Sequence, residues 1–223
     1  MSKVYIIYGA PGSGKGTQAN LLAEKMGVIH FDTGYAIEKK VHNPDLQDDL
    51  IIQREKKMFD EGVLCTPEWV AQIVEEAIEK IHRKGKGIVF SGSPRTLPET
   101  KTFIPLVEKL YNRENIKIIR INVKPETSIY RNSHRRVCKN CGLSLVYTPE
   151  NKKLDKCPKC GGKLIKRVLD KPETIEVRLK EFNKRTEPIY EFLTDKGYEI
   201  VDIDGEPSVE EIHQDILFQI NHE

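Results

Sequence analysis

The sequence has no apolar run near the ~18 residues a membrane span needs, and its mean hydropathy is low, at −0.50. A chain threaded through a bilayer by helices is therefore excluded. It also lacks an excess of one charge: 36 Lys and Arg stand against 34 Asp and Glu, leaving +2. So small an imbalance gives no whole-chain case for a nucleic-acid partner. Residues 1–8 enter strand-like sequence with none of the layout of a secretion signal, and a cytoplasmic protein is expected. Cysteine occurs five times. An odd count without a secretion signal argues against a disulfide framework. Repeats and low-complexity tracts are missing as well.

What remains is 223 residues, enough for one large domain with a real core and small insertions. Short apolar runs at 4–8, 28–31, 88–90, 116–123 and 199–203 read as buried strands. Helical patterns separate them. Ala19, Leu22, Ala23 and Met26 recur at helix spacing before Gly27. Thr66 and Pro67 open a second helix, with Val70, Ile73, Val74, Ala77, Ile78 and Ile81 as its buried stripe. Asp170 stands as the cap of a third, and residues 209–220 form the last. Residues 32–64 are helical in pieces, without one strong apolar face. Strands alternating with helices predict an α/β fold, a parallel sheet of about five strands with helices on both faces.

Two motifs carry chemistry. Gly9-Ala10-Pro11-Gly12-Ser13-Gly14-Lys15-Gly16-Thr17 follows the first strand and opens the first helix. Glycines let the backbone aim N–H groups at an anion, the helix N-terminus adds partial positive charge, and Lys15 adds a full one. Cys138-x2-Cys141 and Cys157-x2-Cys160 lie 15 residues apart, a spacing that can place four thiolates tetrahedrally around one structural Zn2+. Cys65 stands outside that set. The cysteine pairs fall in residues 131–167, which hold 11 Lys and Arg against two acids; this leaves +9 there and −7 elsewhere. Such a block reads as a separate subdomain with an anionic partner. Its one aromatic, Tyr147, offers little for stacking bases, so a zinc-ribbon nucleic-acid binder ranks low.

The loop, with Gly16 and Thr17 after the lysine rather than Ser or Thr directly, resembles that of the adenylate kinase family, within the nucleoside monophosphate kinases. The resemblance runs almost end to end. Thr33-Gly34, Gly62-Val63-Leu64-Cys65-Thr66, Gly92-Ser93-Pro94-Arg95-Thr96, Arg131, Arg135, Arg167, Arg178 and Asp204-Gly205 are similar to family signatures. It implies a core of 1–31, 65–130 and 168–223, a helical monophosphate-binding insertion at 32–64, and a zinc-bound lid at 131–167. It implies phosphoryl transfer from Mg2+-ATP to AMP, giving two ADP, by a monomer with no membrane or nucleic-acid partner. Gly12, Ser13, Gly14, Lys15, Gly16, Thr17, Arg131 and Arg135 would bind ATP. Thr33, Gly34, Leu64, Cys65, Gly92, Arg95, Glu99, Arg167 and Arg178 would bind AMP. Lys15, Arg95, Arg135, Arg167 and Arg178 would be catalytic.

Four positions depart from the family pattern: Glu38 for an arginine, Ser91 for an aspartate, Glu99 for a glutamine, and Leu169-Asp170 for an Asp-Asp pair. They fall on the acceptor side and around the Mg2+. Lys39 or Lys40 could restore the charge that Glu38 removes. An ionised Glu99 could accept from both adjacent donors of guanine, which keeps GMP, and CMP or UMP, open as alternative acceptors.

Overall fold

The structure is a computed structural model that describes residues 3–221. Its core is one five-stranded parallel sheet. In chain order, β1 (Val4–Gly9) leads to α1 (Lys15–Met26), β2 (Ile29–Asp32), α2 (Thr33–Val41), α3 (Leu50–Glu61) and α4 (Pro67–His82). β3 (Ile88–Ser91), α5 (Leu97–Tyr111), β4 (Ile116–Asn122) and α6 (Pro125–His134) follow. Next come β5 (Arg136–Cys138), β6 (Ser144–Leu145), α7 (Pro149–Lys152) and β7 (Leu164–Ile165). α8 (Pro172–Glu181), α9 (Pro188–Asp195), β8 (Ile200–Asp204) and α10 (Val209–Asn221) complete the chain. The large sheet runs β2-β3-β1-β4-β8, and β5, β6 and β7 form a small antiparallel sheet of their own. Among the described residues no helix is long and apolar enough to cross a membrane.

Period-two alternation divides the core. Val4, Ile6 and Tyr8 of central β1 pack with α4, α5 and α9, while Tyr5 and Ile7 pack with α1 and α10. All six residues of β1 are buried, as a strand covered on both faces requires. All five expected strands are present. Residues 32–64 fold as α2, a 3-10 turn at Pro44–Leu46 and α3. No strong face shows in the sequence because α3 buries Ile52, Glu55 and Phe59 while leaving Leu50 and Ile51 in solvent.

Two caps differ from expectation. Thr66 does precede α4, but its hydroxyl makes no cap bond there; it donates to Oε1 of Glu55 at 2.6 Å. Lys171, not Asp170, precedes α8. Arg135 draws the Asp170 carboxylate away, its Nε donating to Oδ2 at 3.0 Å, and Arg178 Nη1 lies 3.6 Å from Oδ1. A charge-assisted fork of hydrogen bonds outweighs a single helix cap.

Candidate active site

The strand ends carry the site, as in other open parallel sheets. β1 runs through Gly9 into the glycine loop. Gly12 and Gly14 adopt φ of 83° and 91°, which favours glycine. A Cβ on Gly12 would stand 2.7 Å from the Ser128 carbonyl, so the loop seats tightly on α6. Gly14 precedes α1 without a side-chain cap, and the first turn of the helix, Lys15-Gly16-Thr17, keeps its N–H groups for a ligand. Ser13 is fully buried, and its hydroxyl has no partner. Lys15 Nζ donates to the Ala10 carbonyl at 3.1 Å.

Five of the cations singled out in the sequence converge beside this loop. Burial, then Arg95, Arg178 and Arg135, push the Lys15 pKa well down, against the pull of Asp32. Burial and the neighbouring Arg135, Arg167 and Arg95 do the same to Arg178. Burial also lowers Arg95, with Arg167 adding to it and Asp32 and Glu99 opposing. Crowded, desolvated cations signal a place for polyanionic ligands. The sixth, Arg131, stands apart: its Nη1 donates to the Gly205 carbonyl at 2.8 Å and its Nη2 to Glu206 at 3.3 Å. It thereby joins α6 to the Asp204-Gly205 turn.

The residues expected on the acceptor side also gather. Arg95 Nε donates to the Gly92 carbonyl at 2.7 Å. A Cβ on Gly92 would lie 2.6 Å from Arg95 Nη2, and one on Gly34 3.6 Å from the same atom. Gly92 therefore makes room for the guanidinium, while a Cβ on Gly34 would be in ordinary contact with it. Thr33 is buried with an unpartnered hydroxyl. The Leu64 peptide is engaged within the chain: its N–H donates to Glu181 Oε2 at 3.1 Å, and its carbonyl accepts from Arg185 at 3.4 Å. Cys65 is buried, and burial pushes its thiol up to about 12, so it stays an inert neutral group. Lys39 and Lys40, the candidates to restore the charge that Glu38 removes, lie over aromatic rings. Their ammonium groups lie 5.3 Å and 5.6 Å from the ring centroids of Tyr35 and Trp69. Glu99 closes a capping box at the start of α5, its Oε1 accepting from the Thr96 hydroxyl at 2.9 Å and its Oε2 from the Arg95 N–H at 3.1 Å. Burial pushes its pKa up.

Several residues escape a sequence reading. Glu55, fully buried, accepts from the Thr66 N–H at 2.8 Å and hydroxyl at 2.6 Å and from Arg54, fixing the turn before α4. Asp32 caps α2 through the Tyr35 N–H at 3.0 Å and is the carboxylate that supports both Lys15 and Arg95. Tyr35 reaches the small sheet: its hydroxyl donates to the Asn140 carbonyl at 3.1 Å, and a Cβ on Gly142 would strike its ring at 2.7 Å. The Asp32-Thr33-Gly34-Tyr35 run at a strand end carries a cap signal; nothing local marks Glu55.

The four Sγ atoms of Cys138, Cys141, Cys157 and Cys160 lie within 4.8 Å of one another. Cys138 and Cys160 are 3.4 Å apart, and Cys141 and Cys157 3.7 Å. Tetrahedral Zn–S bonds of about 2.3 Å set sulfurs about 3.8 Å apart, so the residues fit a metal ion. Each pair closes a similar turn, the Gly142 N–H donating to Cys138 and the Gly161 N–H to Cys157.

The comparisons agree with this geometry. The adenylate kinase family model matches residues 7–198. An adenylate kinase of Archaeoglobus fulgidus is 33% identical over 213 residues, 95% of this chain and 94% of that protein. One of Staphylococcus epidermidis is 34% identical over 221 residues, covering 97% and 98%. One of Caldicellulosiruptor bescii is 34% identical over 198 residues, covering 88% and 89%. A glycine loop at the head of a parallel sheet, a cluster of partly buried cations and likeness along nearly the whole chain converge on one conclusion: this chain belongs to the adenylate kinase family and is a phosphotransferase of the nucleoside monophosphate kinase type.

Proposed function

We propose that the chain transfers the γ-phosphoryl group of Mg2+-ATP to AMP, giving two ADP. The observation that carries this is the convergence of Lys15, Arg95, Arg135, Arg167 and Arg178, drawn from distant parts of the sequence, onto one crevice. Two nucleotides bring more negative charge than Asp32, Asp170, Glu38 and Glu99 can supply, and binding them relieves the repulsion. Phosphoryl transfer needs positioning and charge stabilisation rather than covalent chemistry. The glycine loop, from Gly12 to Thr17, and the N-terminus of α1 hold the donor phosphates, and Lys15 reaches the transferred group. Arg95, over Gly34 and Gly92, takes the acceptor phosphate. Arg135 and Arg178, aligned by Asp170, and Arg167 spread over the charge developing in flight.

AMP as acceptor is supported by likeness along nearly the whole chain to proteins named adenylate kinase. Both Glu99 oxygens are engaged within the chain, with the Thr96 hydroxyl and the Arg95 N–H, so Glu99 carries no argument for one base over another. The insertion at 32–64 then encloses the acceptor, and the segment at 131–167 is the lid, held together by one structural Zn2+ on the four cysteines. A zinc-held fold suits a small segment with little apolar core. Three arginines of the lid are engaged within the chain, Arg135 with Asp170, Arg136 with the Leu154 carbonyl and Arg167 with Glu38, while its seven lysines are exposed. Nucleotide rather than nucleic acid as the partner is supported by the single aromatic, Tyr147, which leaves little to stack bases on. A cytoplasmic monomer completes the reading.

Lys15→Ala tests the mechanism. The variant should fold normally and lose several powers of ten in kcat, because charge stabilisation dominates this chemistry. Turnover close to that of the wild type would contradict it.

A further inference from the structure

A chain of hydrogen bonds that the mechanism above does not use lies one strand from the glycine loop. His30 on β2 stands between Asn20 of α1 and Ser91 of β3. Its Nδ1 is 2.8 Å from Asn20 Oδ1, and its Nε2 is 2.7 Å from Ser91 Oγ. With the Asn20 amide oxygen facing the ring, Nδ1 must carry the ring proton, because a carbonyl oxygen can only accept. Nε2 is then a bare acceptor, and the Ser91 hydroxyl donates to it. Burial pushes the imidazole pKa down, with Asp32 opposing and Lys159 adding to it, which favours the neutral ring. Ser91 is 3% exposed. Its one proton is committed to His30, so its oxygen offers only lone pairs to any other group.

The position matters as much as the polarity. Ser91 ends β3, in register with Ile7 of β1 and Asp32 of β2, at the carboxyl edge where β1 enters the glycine loop. In phosphate-loop enzymes a strand-end carboxylate works with a loop hydroxyl to hold the nucleotide's Mg2+. Here the strand end offers a neutral hydroxyl. Free to rotate, such a hydroxyl could point its proton at the cation's hydration shell and repel it. Fixed by His30, it cannot.

We propose that Asn20 and His30 are positioning residues that hold Ser91 Oγ as a hydrogen-bond acceptor for a water molecule on the Mg2+ of the bound ATP. The proposal rests on the phosphotransferase reading above. A neutral hydrogen bond is worth roughly fivefold in an equilibrium constant, and that is the size of effect expected. A carboxylate at the same place accepts from all sides and needs no partner to orient it.

The test compares wild type, His30→Phe, Ser91→Asp and the double variant. Two quantities are read: the Mg2+ concentration giving half-maximal rate, and the affinity for ATP by calorimetry with and without Mg2+. His30→Phe should raise the Mg2+ requirement about fivefold and weaken ATP binding only when Mg2+ is present. Ser91→Asp should lower the requirement, and adding His30→Phe to it should then change little. Asn20 is exposed, so Asn20→Ala keeps the test open if the His30 variant folds poorly; it should shift the requirement in the same direction by a smaller factor. An equal loss with metal-free ATP would overturn the proposal, as would the same His30→Phe effect in both backgrounds, or no effect of either variant. A wild-type protein without phosphotransfer would instead overturn the function on which the proposal stands.

Discussion

Glu38 Oε2 accepts a hydrogen bond from Arg167 Nη2 at 2.7 Å, between α2 and the end of the cysteine-bearing segment. The glutamate stands where the family pattern has an arginine. One cation of the proposed acceptor site is thereby held by a carboxylate of the chain itself, which an acceptor phosphate bound there would have to displace.

Glu38→Gln should therefore lower the KM for AMP. Partly exposed ion pairs contribute about 0.2–1 kcal/mol, so the drop should be at most about fivefold. Initial rates over a range of AMP concentrations at saturating ATP would show it. A rise in KM would mean that Glu38 helps to hold the acceptor.

Glu55 predicts a pH effect on stability. Burial alone would raise its pKa, but hydrogen bonds from Thr66 and Arg54 outweigh it and leave the pKa lowered. A carboxyl lowered on folding stabilises the protein above its ordinary value of about 4.3 and loses that contribution as pH falls through the lower folded value. Glu55→Gln should lower the melting temperature near neutral pH, and the gap from wild type should narrow in the acid limb below about pH 4. A gap that stays constant down to pH 3 would contradict this.

The four-cysteine cluster predicts one Zn2+ per chain in protein purified without chelator. Cys157→Ser should lower the melting temperature by several degrees and loosen residues 131–167 first, as read by proteolysis or hydrogen exchange. Elemental analysis showing no stoichiometric metal would remove zinc from the account.

The strands were legible because each is a short apolar run between turn signals; β1 and β4 are rich in Ile and Val. The glycine loop and the cysteine pairs were legible because their chemistry is written in local spacing. What stayed hidden depends on partners distant in sequence. Asp170 has the look of a helix cap, and only the fold brings Arg135, 35 residues away, to claim it. Glu55 sits on a polar stretch of α3 and reads as solvent-facing until Thr66 is placed against it. His30 meets Ser91 across 61 residues. Thr96-x-x-Glu99 carries a legible capping-box signal, yet that signal competes with a base-reading role for the same carboxylate, and both oxygens prove to be engaged.

The central claim is phosphoryl transfer to AMP, and the most direct measurement is a coupled assay with Mg2+-ATP as donor and AMP, GMP, CMP and UMP in turn as acceptor. The account predicts transfer to all that fit, with the highest kcat/KM for AMP. A higher kcat/KM for GMP or CMP would contradict AMP as the acceptor, and no transfer to any of the four would contradict the proposed function.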